Sequence, residues 1–187
     1  MIGLGFNNYS RFSREIHGRD TYAWCVYVEA DAELINKIEM VEYTLHPTFR
    51  NPVQEITDKQ HCFALQSEGW GTFEIEIRVF FEDGSEQDEV YMLKLETDDW
   101  PKGPMLDTSL DDDAKRLYSV LLDGRLDWRK ISTVARNSFL SMTRANEILR
   151  ELASNGYVRK AYFRSIEDEE LWGATFRVGK LPMIGQR

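Results

Sequence analysis

"TFEIEIRVFF", residues 72–81, is the stretch on which the reading of the fold turns. Phe73, Ile75, Ile77, Val79 and Phe81 alternate with Glu74, Glu76 and Arg78. A strand with one buried and one wet face produces this period of two. Phe80 breaks the polar face. "EDGS" at 82–85 is a turn, and "DEVYMLKLE" at 88–96 carries the chain back as a partner strand. Upstream, "WCVYVEA" at 24–30 puts Trp24, Val26 and Val28 on one face, and "VEYTL" at 41–45 repeats the alternation. Short strands at this spacing, with no helical period between them, predict a β-sandwich.

The character changes at "TDDWPKGPMLDTS", residues 97–109, where two prolines and a glycine in polar surroundings predict a linker. Beyond it the period becomes 3.6. Leu110, Ala114, Leu117, Tyr118 and Leu121 form one apolar stripe, with Ser109 and the following aspartates suited to a helix N-terminus. Trp128, Ile131, Val134 and Ala135 form a second. Ala145, Ile148, Leu149 and Leu152 form a third, capped by Ser141 and ended by Gly156. Two strand-like runs, "YVRKAYFRS" and "LWGATFRVG", flank the acidic turn "IEDEE". Three helices followed by a β-hairpin are the order of an α+β winged helix. The expected division is a sandwich over 1–97, a linker over 98–109 and a winged-helix-like domain over 110–187.

At 187 residues, 42% hydrophobic and 29% charged, the chain has the composition of a globular protein with room for two cores. The N-terminal apolar run is too short for a secretory signal, and no stretch approaches a membrane span. Cys25 and Cys62 lie in strand-like apolar text without metal-ligand spacing, which predicts buried thiols in a reducing cytosol. The net charge of −9 is uneven. Residues 1–105 carry 9 Lys/Arg against 20 Asp/Glu, and residues 106–187 carry 14 against 12. The acidic half is either simply solvated or suited to something basic, such as a lysine-rich peptide.

Two loops stand out. "LHPTFRNP" at 45–52 ends a strand with a histidine, a hydroxyl and a bare ring, and "EGWGTF" at 68–73 sets Trp70 between two glycines. Loops at one end of a sandwich commonly form its binding surface. Gly69 and Gly71 let backbone approach a ligand, two aromatic rings hold a flat amide, and a hydroxyl bonds its polar atoms. Spacing alone leaves open that Phe49 and Trp70 are core residues and that His46 is buried and satisfied.

The stretches "WCVYVE" at 24–29, "YTLHPTF" at 43–49, Pro52 and "SEGWGTFEI" at 67–75, in that order and spacing, resemble the YEATS domain. The resemblance spans about residues 15–97. It implies an immunoglobulin-like β-sandwich that reads acylated lysine, acetyl- and crotonyl-lysine among them, without catalysis or cofactor. Residue by residue, it implies that Phe49 and Trp70 wall an aromatic slot and that Thr48 bonds the acyl amide. The N–H of Trp70 or Gly71 would meet the acyl carbonyl beside Gly69, and His46 would brace the floor. Phe73 is assigned to packing and Glu68 to an exposed rim. Pro47 stands where other members often have an acidic residue, and Tyr22 is the candidate for one further aromatic. The chain has none of the disordered or coiled-coil segments that accompany eukaryotic members. A prokaryotic, cytoplasmic protein is therefore expected, or a nuclear one if the source is eukaryotic.

In the second half, the third helix would be the one facing DNA, with Arg144 and Arg150 on it and Arg159, Lys160 and Arg164 on the wing. Glu147, Glu151 and "EDEE" at 167–170 dilute that charge, so DNA and protein docking stay open as partners. The alternative function is a DNA-binding regulator whose sandwich serves as a sensor or a scaffold. No nucleophile elbow, phosphate loop or metal-spaced cluster is present, and adjacent His61 and Cys62 point to opposite faces of any strand. No metal and no enzymatic activity are expected.

Overall fold

The structure, a computed structural model, describes residues 3–107, 109–123, 126–161, 165 and 167–185. The chain divides into two units, Met1–Trp100 with Leu181–Arg187, and Pro101–Lys180.

The first unit is mainly β. Its strands are β1 (Gly5–Ile16), β2 (Arg19–Glu29), β3 (Ile38–Thr44), β4 (Val53–Ile56), β5 (Leu65–Gly69), β6 (Glu74–Phe81) and β7 (Glu86–Met92). A short helix α1 (Ala32–Lys37), capped by the Asp31 carboxylate, joins β2 to β3. One sheet has the order β1-β2-β5 and the other β4-β3-β6-β7, with antiparallel pairing throughout. The alternation expected in β6 is present: Ile75, Ile77 and Val79 are buried and Glu74, Glu76 and Arg78 are exposed. These join Val41 and Tyr43 of β3, Trp24 and Val26 of β2 and Leu65 of β5 in one hydrophobic cluster, so the two sheets share a core. β2 is buried on both faces from Trp24 to Val28. Its outer face is covered in part by Tyr9 of β1, whose ring stacks on Tyr27 with centroids 5.0 Å apart. Cys25 and Cys62 are buried free thiols. Burial, and then the nearby Asp58, pushes the Cys62 thiol up to about 11.

β1 is polar in sequence and is held by long-range hydrogen bonds. A two-residue turn at His17 and Gly18, both with positive φ, closes the β1–β2 hairpin. Asn8 is buried on β1; its Nδ2 donates to the Lys94 carbonyl at 2.7 Å, and its Oδ1 accepts from the Lys94 N–H and the Tyr91 hydroxyl. Ser10 repeats the device with Thr97 and Asp99. These bonds order Lys94–Asp99 along β1, and Trp100 is buried in the sandwich core.

The second unit contains α2 (Asp112–Leu122), β8 (Arg129–Lys130), α3 (Ile131–Asn137), α4 (Met142–Ser154), β9 (Val158–Lys160), β10 (Leu171–Ala174) and α5 (Thr175–Val178). The Asp111 and Ser141 side chains cap α2 and α4, accepting the Ala114 and Arg144 N–H groups. The three apolar stripes meet in a second core, although Trp128 precedes α3 rather than lying on it. Three short strands form a sheet in the order β8-β10-β9. The run read as one strand, "LWGATFRVG", turns into a helical turn after Ala174. There the Thr175 N–H bonds the Tyr157 carbonyl, and Arg159 draws in the carbonyls of Val178 and Gly179. No helix among the described residues is long and apolar enough to cross a membrane.

Asn8→Ala leaves the Lys94 backbone groups and the Tyr91 hydroxyl without their partner. It should lower the stability of the sandwich by about 2 kcal/mol in urea unfolding, with the slope unchanged.

Candidate functional site

The pairing register brings the two equipped loops together. Thr44 at the end of β3 lies opposite Glu76 near the start of β6, so the β3–β4 and β5–β6 loops leave the same end of the four-stranded sheet. The neck of the first loop is closed by the Leu45 N–H donating to the Pro52 carbonyl at 2.7 Å. Within it, the Phe49 N–H donates to the His46 carbonyl at 3.0 Å, making a β-turn with Pro47 at its second position, where proline pre-sets φ.

His46 and Thr48 are bonded inside that turn. The Thr48 N–H donates to His46 Nδ1 at 3.3 Å, and Thr48 Oγ1 lies 2.9 Å from the same nitrogen. A backbone N–H can only donate, so Nδ1 is the acceptor and the ring proton sits on Nε2. The Thr48 hydroxyl proton is thereby directed at the imidazole, and the oxygen lone pairs are left for a donor from outside.

The two loops enclose a cleft of about 410 Å³, and His46, Thr48, Phe49, Gly69, Trp70 and Gly71 all line it. Its inner wall is aromatic. Phe49 lies 5.4 Å from Phe73 and 6.2 Å from Trp24, centroid to centroid, and Trp24 meets Phe73 edge-on at 6.1 Å. The His46 ring sits 6.3 Å from Phe73. Trp24 is wholly buried, whereas Trp70 is 62% exposed at the rim with the Arg19 guanidinium 4.6 Å from its ring centre. Glu68 is exposed at the rim, with Oε1 3.1 Å from Arg14 Nε.

Phe73 does more than pack. The alternation of β6 aims it inward, but it precedes the strand, where the inward face opens into the cleft. Strand period carries no signal for that opening. Tyr22 lies against Phe12 at 6.1 Å and is not among the cleft residues. A second concavity, of about 410 Å³, lies on the outer face of the four-stranded sheet. It is lined by Glu42, Glu76, Asp88 and Glu89 around Arg78, with no aromatic wall.

The cations named for DNA are engaged within their own unit. Arg144 lies 3.3 Å from Asp111, 3.6 Å from Asp113 and 3.4 Å from Glu147. Arg150 donates to Asn146 at 3.3 Å. Arg159 donates to the backbone carbonyls of Lys160, Val178 and Gly179 and stacks 4.7 Å from the Trp128 ring centre, and Lys160 pairs with Glu170 at 2.9 Å. Arg164 falls outside the described residues.

The two tryptophans of the site should separate in stability measurements. Trp24→Ala empties the core and should cost about 3–5 kcal/mol, while Trp70→Ala at the rim should stay within about 0.5 kcal/mol of the parent protein.

Comparison with known proteins adds an independent finding. Residues 22–94, which contain both cleft loops, match the family model of the prokaryotic YEATS domain. The chain is 40% identical over 55 residues to transcription initiation factor TFIID subunit 14 of Schizosaccharomyces pombe, covering 29% of this chain and 21% of that one. It is 38% identical over 63 residues to the protein AF-9 homolog of the same yeast, covering 33% and 28%. The chain thus spans less than a third of the length of these relatives. Among solved structures it is similar to the Yaf9 YEATS domain, with 22% identity, a TM-score of 0.44 and coverage of 51% of this chain and 74% of that one. It is also similar to the Yaf9 YEATS domain bound to H3K27ac, with 23% identity, a TM-score of 0.42 and coverage of 49% and 70%. The part of the chain that builds the cleft therefore matches the prokaryotic YEATS domain.

Proposed function

We propose that the cleft binds the acylated side chain of a lysine in a protein or peptide, and that the sandwich is a non-catalytic reader. The observation that carries this reading is the His46–Thr48 pair at the edge of an aromatic-walled cleft. A hydroxyl whose proton is directed at His46 offers its lone pairs to the amide N–H of an acyl-lysine. The acyl group lies over Phe49 with Trp70 opposite, and the N–H of Trp70 or Gly71 donates to its carbonyl. The family match over 22–94 supports the same reading. A neutral, flat amide suits these walls. The ammonium of an unmodified lysine would lose water there, and the rim carboxylate Glu68 is already paired with Arg14. Each CH₂ of the acyl chain adds about 0.8 kcal/mol and ring stacking about 1 kcal/mol, so acetyl and four-carbon acyl groups differ by about one to two kcal/mol.

For the Pro101–Lys180 unit we propose a winged-helix-like module that docks protein rather than DNA. The order α2–β8–α3–α4–β9–β10, with the sheet order β8-β10-β9, supports the architecture. The internal ion pairs of Arg144 and Lys160 and the structural bonds of Arg159 weigh against a phosphate-binding face.

Titration of the protein with lysine peptides that are unmodified, acetylated, crotonylated or trimethylated tests the reader. Binding is expected for the acyl peptides alone. Phe49→Ala and Trp70→Ala should each weaken it at least tenfold with the fold intact, and Thr48→Val by about fivefold. Equal binding of unmodified lysine, or normal binding by both aromatic variants, would contradict the proposal. A labelled DNA duplex in about 50 mM salt should show no binding, and affinity falling steeply with added salt would overturn the protein-docking assignment.

A further inference from the structure

The charge at the mouth of the cleft runs against the charge of the sequence around it. Residues 1–105 carry 20 Asp/Glu against 9 Lys/Arg, yet the β3–β4 loop, 45–52, contains no carboxylate and one arginine, Arg50. Arg50 follows the Phe49 wall, is exposed and lines the cleft, and it has no carboxylate partner among the described residues. At the other loop the Arg19 guanidinium rests on the exposed Trp70 ring, again without a carboxylate partner among the described residues. Glu68 is the one carboxylate among the lining residues, and Arg14 holds both its oxygens, at 3.1 and 3.4 Å. Glu42, Glu76 and Asp88 lie on the outer face of the four-stranded sheet instead, around Arg78. A guanidinium left unpaired amid such a surplus of carboxylates is open to a bidentate bond with one from outside.

We propose that Arg50, with Arg19 in support, selects an acylated lysine that has an Asp or Glu close beside it in the partner's sequence. The inference rests on the acyl-lysine reading and names the partner's chemistry: an acidic segment rather than a lysine-rich one. With the acyl amide in the cleft, the backbone of the modified lysine lies at the mouth. Successive residues are at most about 3.5 Å apart, so a carboxylate one to three residues from the acyl-lysine comes within reach of the Arg50 side chain. Ordinary salt screens exposed charges beyond about 8 Å, so the groups at the mouth set the preference and the net charge of −9 does not.

Fluorescence anisotropy with the full chain and labelled acetyl-lysine peptides tests the assignment. Three peptides differ only in the residues flanking the acetyl-lysine on both sides, which are glutamate, glutamine or lysine, and each has an unacetylated counterpart. In about 150 mM salt the glutamate peptide is expected to bind about threefold more tightly than the glutamine peptide and about tenfold more tightly than the lysine peptide. Net charge alone would order them the other way. The ratios should shrink towards one in about 1 M salt. In Arg50→Gln the glutamate-to-lysine ratio should fall to about threefold, and in Arg50→Glu the order should invert. Both replace an exposed side chain, so the fold is retained. Equal binding of the three acetyl peptides, tightest binding of the lysine peptide, or a ratio unchanged in both Arg50 variants would overturn the flank assignment and leave the acyl reading standing. A succinyl-lysine peptide with glutamine flanks tests the source of the carboxylate. If it matches the glutamate peptide and loses that gain in Arg50→Gln, Arg50 reads the acyl group and the flank assignment is overturned. If no acetyl peptide binds, or the unacetylated peptides bind as well, the reader assignment fails and this inference falls with it.

Discussion

The edge-on packing of Trp24 against Phe49 and Phe73 is the contact on which the site depends. Trp24 is a core residue of β2, buried together with Val26, Val41 and Ile77. It also backs the inner wall of the cleft. The core thus fixes the position of the wall, and the wall fixes Phe49, a ring carried on a short loop. A loop carrying a lone aromatic would otherwise sample many rotamers, and ordering it on binding would cost affinity. Here most of that cost is met by folding.

The polar half of the cleft is organised on the same economy. A turn of four residues, closed by the Phe49 N–H on the His46 carbonyl, brings an imidazole and a hydroxyl into contact without any third group. The imidazole takes the backbone and hydroxyl donors of Thr48, so the oxygen that faces the cleft is an acceptor. Opposite it, Gly71 keeps the backbone bare next to Trp70. This half of the chain is acidic, with 9 Lys/Arg against 20 Asp/Glu over residues 1–105. Several of those carboxylates lie on the outer face of the four-stranded sheet, away from the aromatic walls.

Much of this was legible in the sequence, for physical reasons. The alternation of 73–81 survives because that strand has one wet and one dry face, and the three helical stripes survive because each helix has a single buried side. The long first strand was not legible. Its Asn8 and Ser10 carry no apolar signal, and only partners more than 80 positions downstream make them buried, satisfied groups. The strand period puts Trp24 on one face with Val26 and Val28 and assigns Phe73 to packing; Trp24 is in the core and Phe73 is packed against it. Their second role appears only where the two sheets part at the loop end, a feature that no local period encodes. The "LWGATFRVG" run has strand composition throughout, yet Arg159 and the Tyr157 carbonyl bend it after Ala174. Tertiary hydrogen bonds there outweigh local propensity.

In the proposed binding mode an acylated lysine lies between Phe49 and Trp70 with its amide held by Thr48. Mapping backbone amide shifts in the ¹⁵N-labelled protein with an acetyl-lysine peptide tests it most directly. The largest shifts are expected on Thr48, Trp70 and Gly71, with none of comparable size for the unmodified peptide. Shifts centred instead on the outer sheet face around Glu42 and Asp88, or equal shifts with both peptides, would show that the protein binds basic sequence rather than the acyl group.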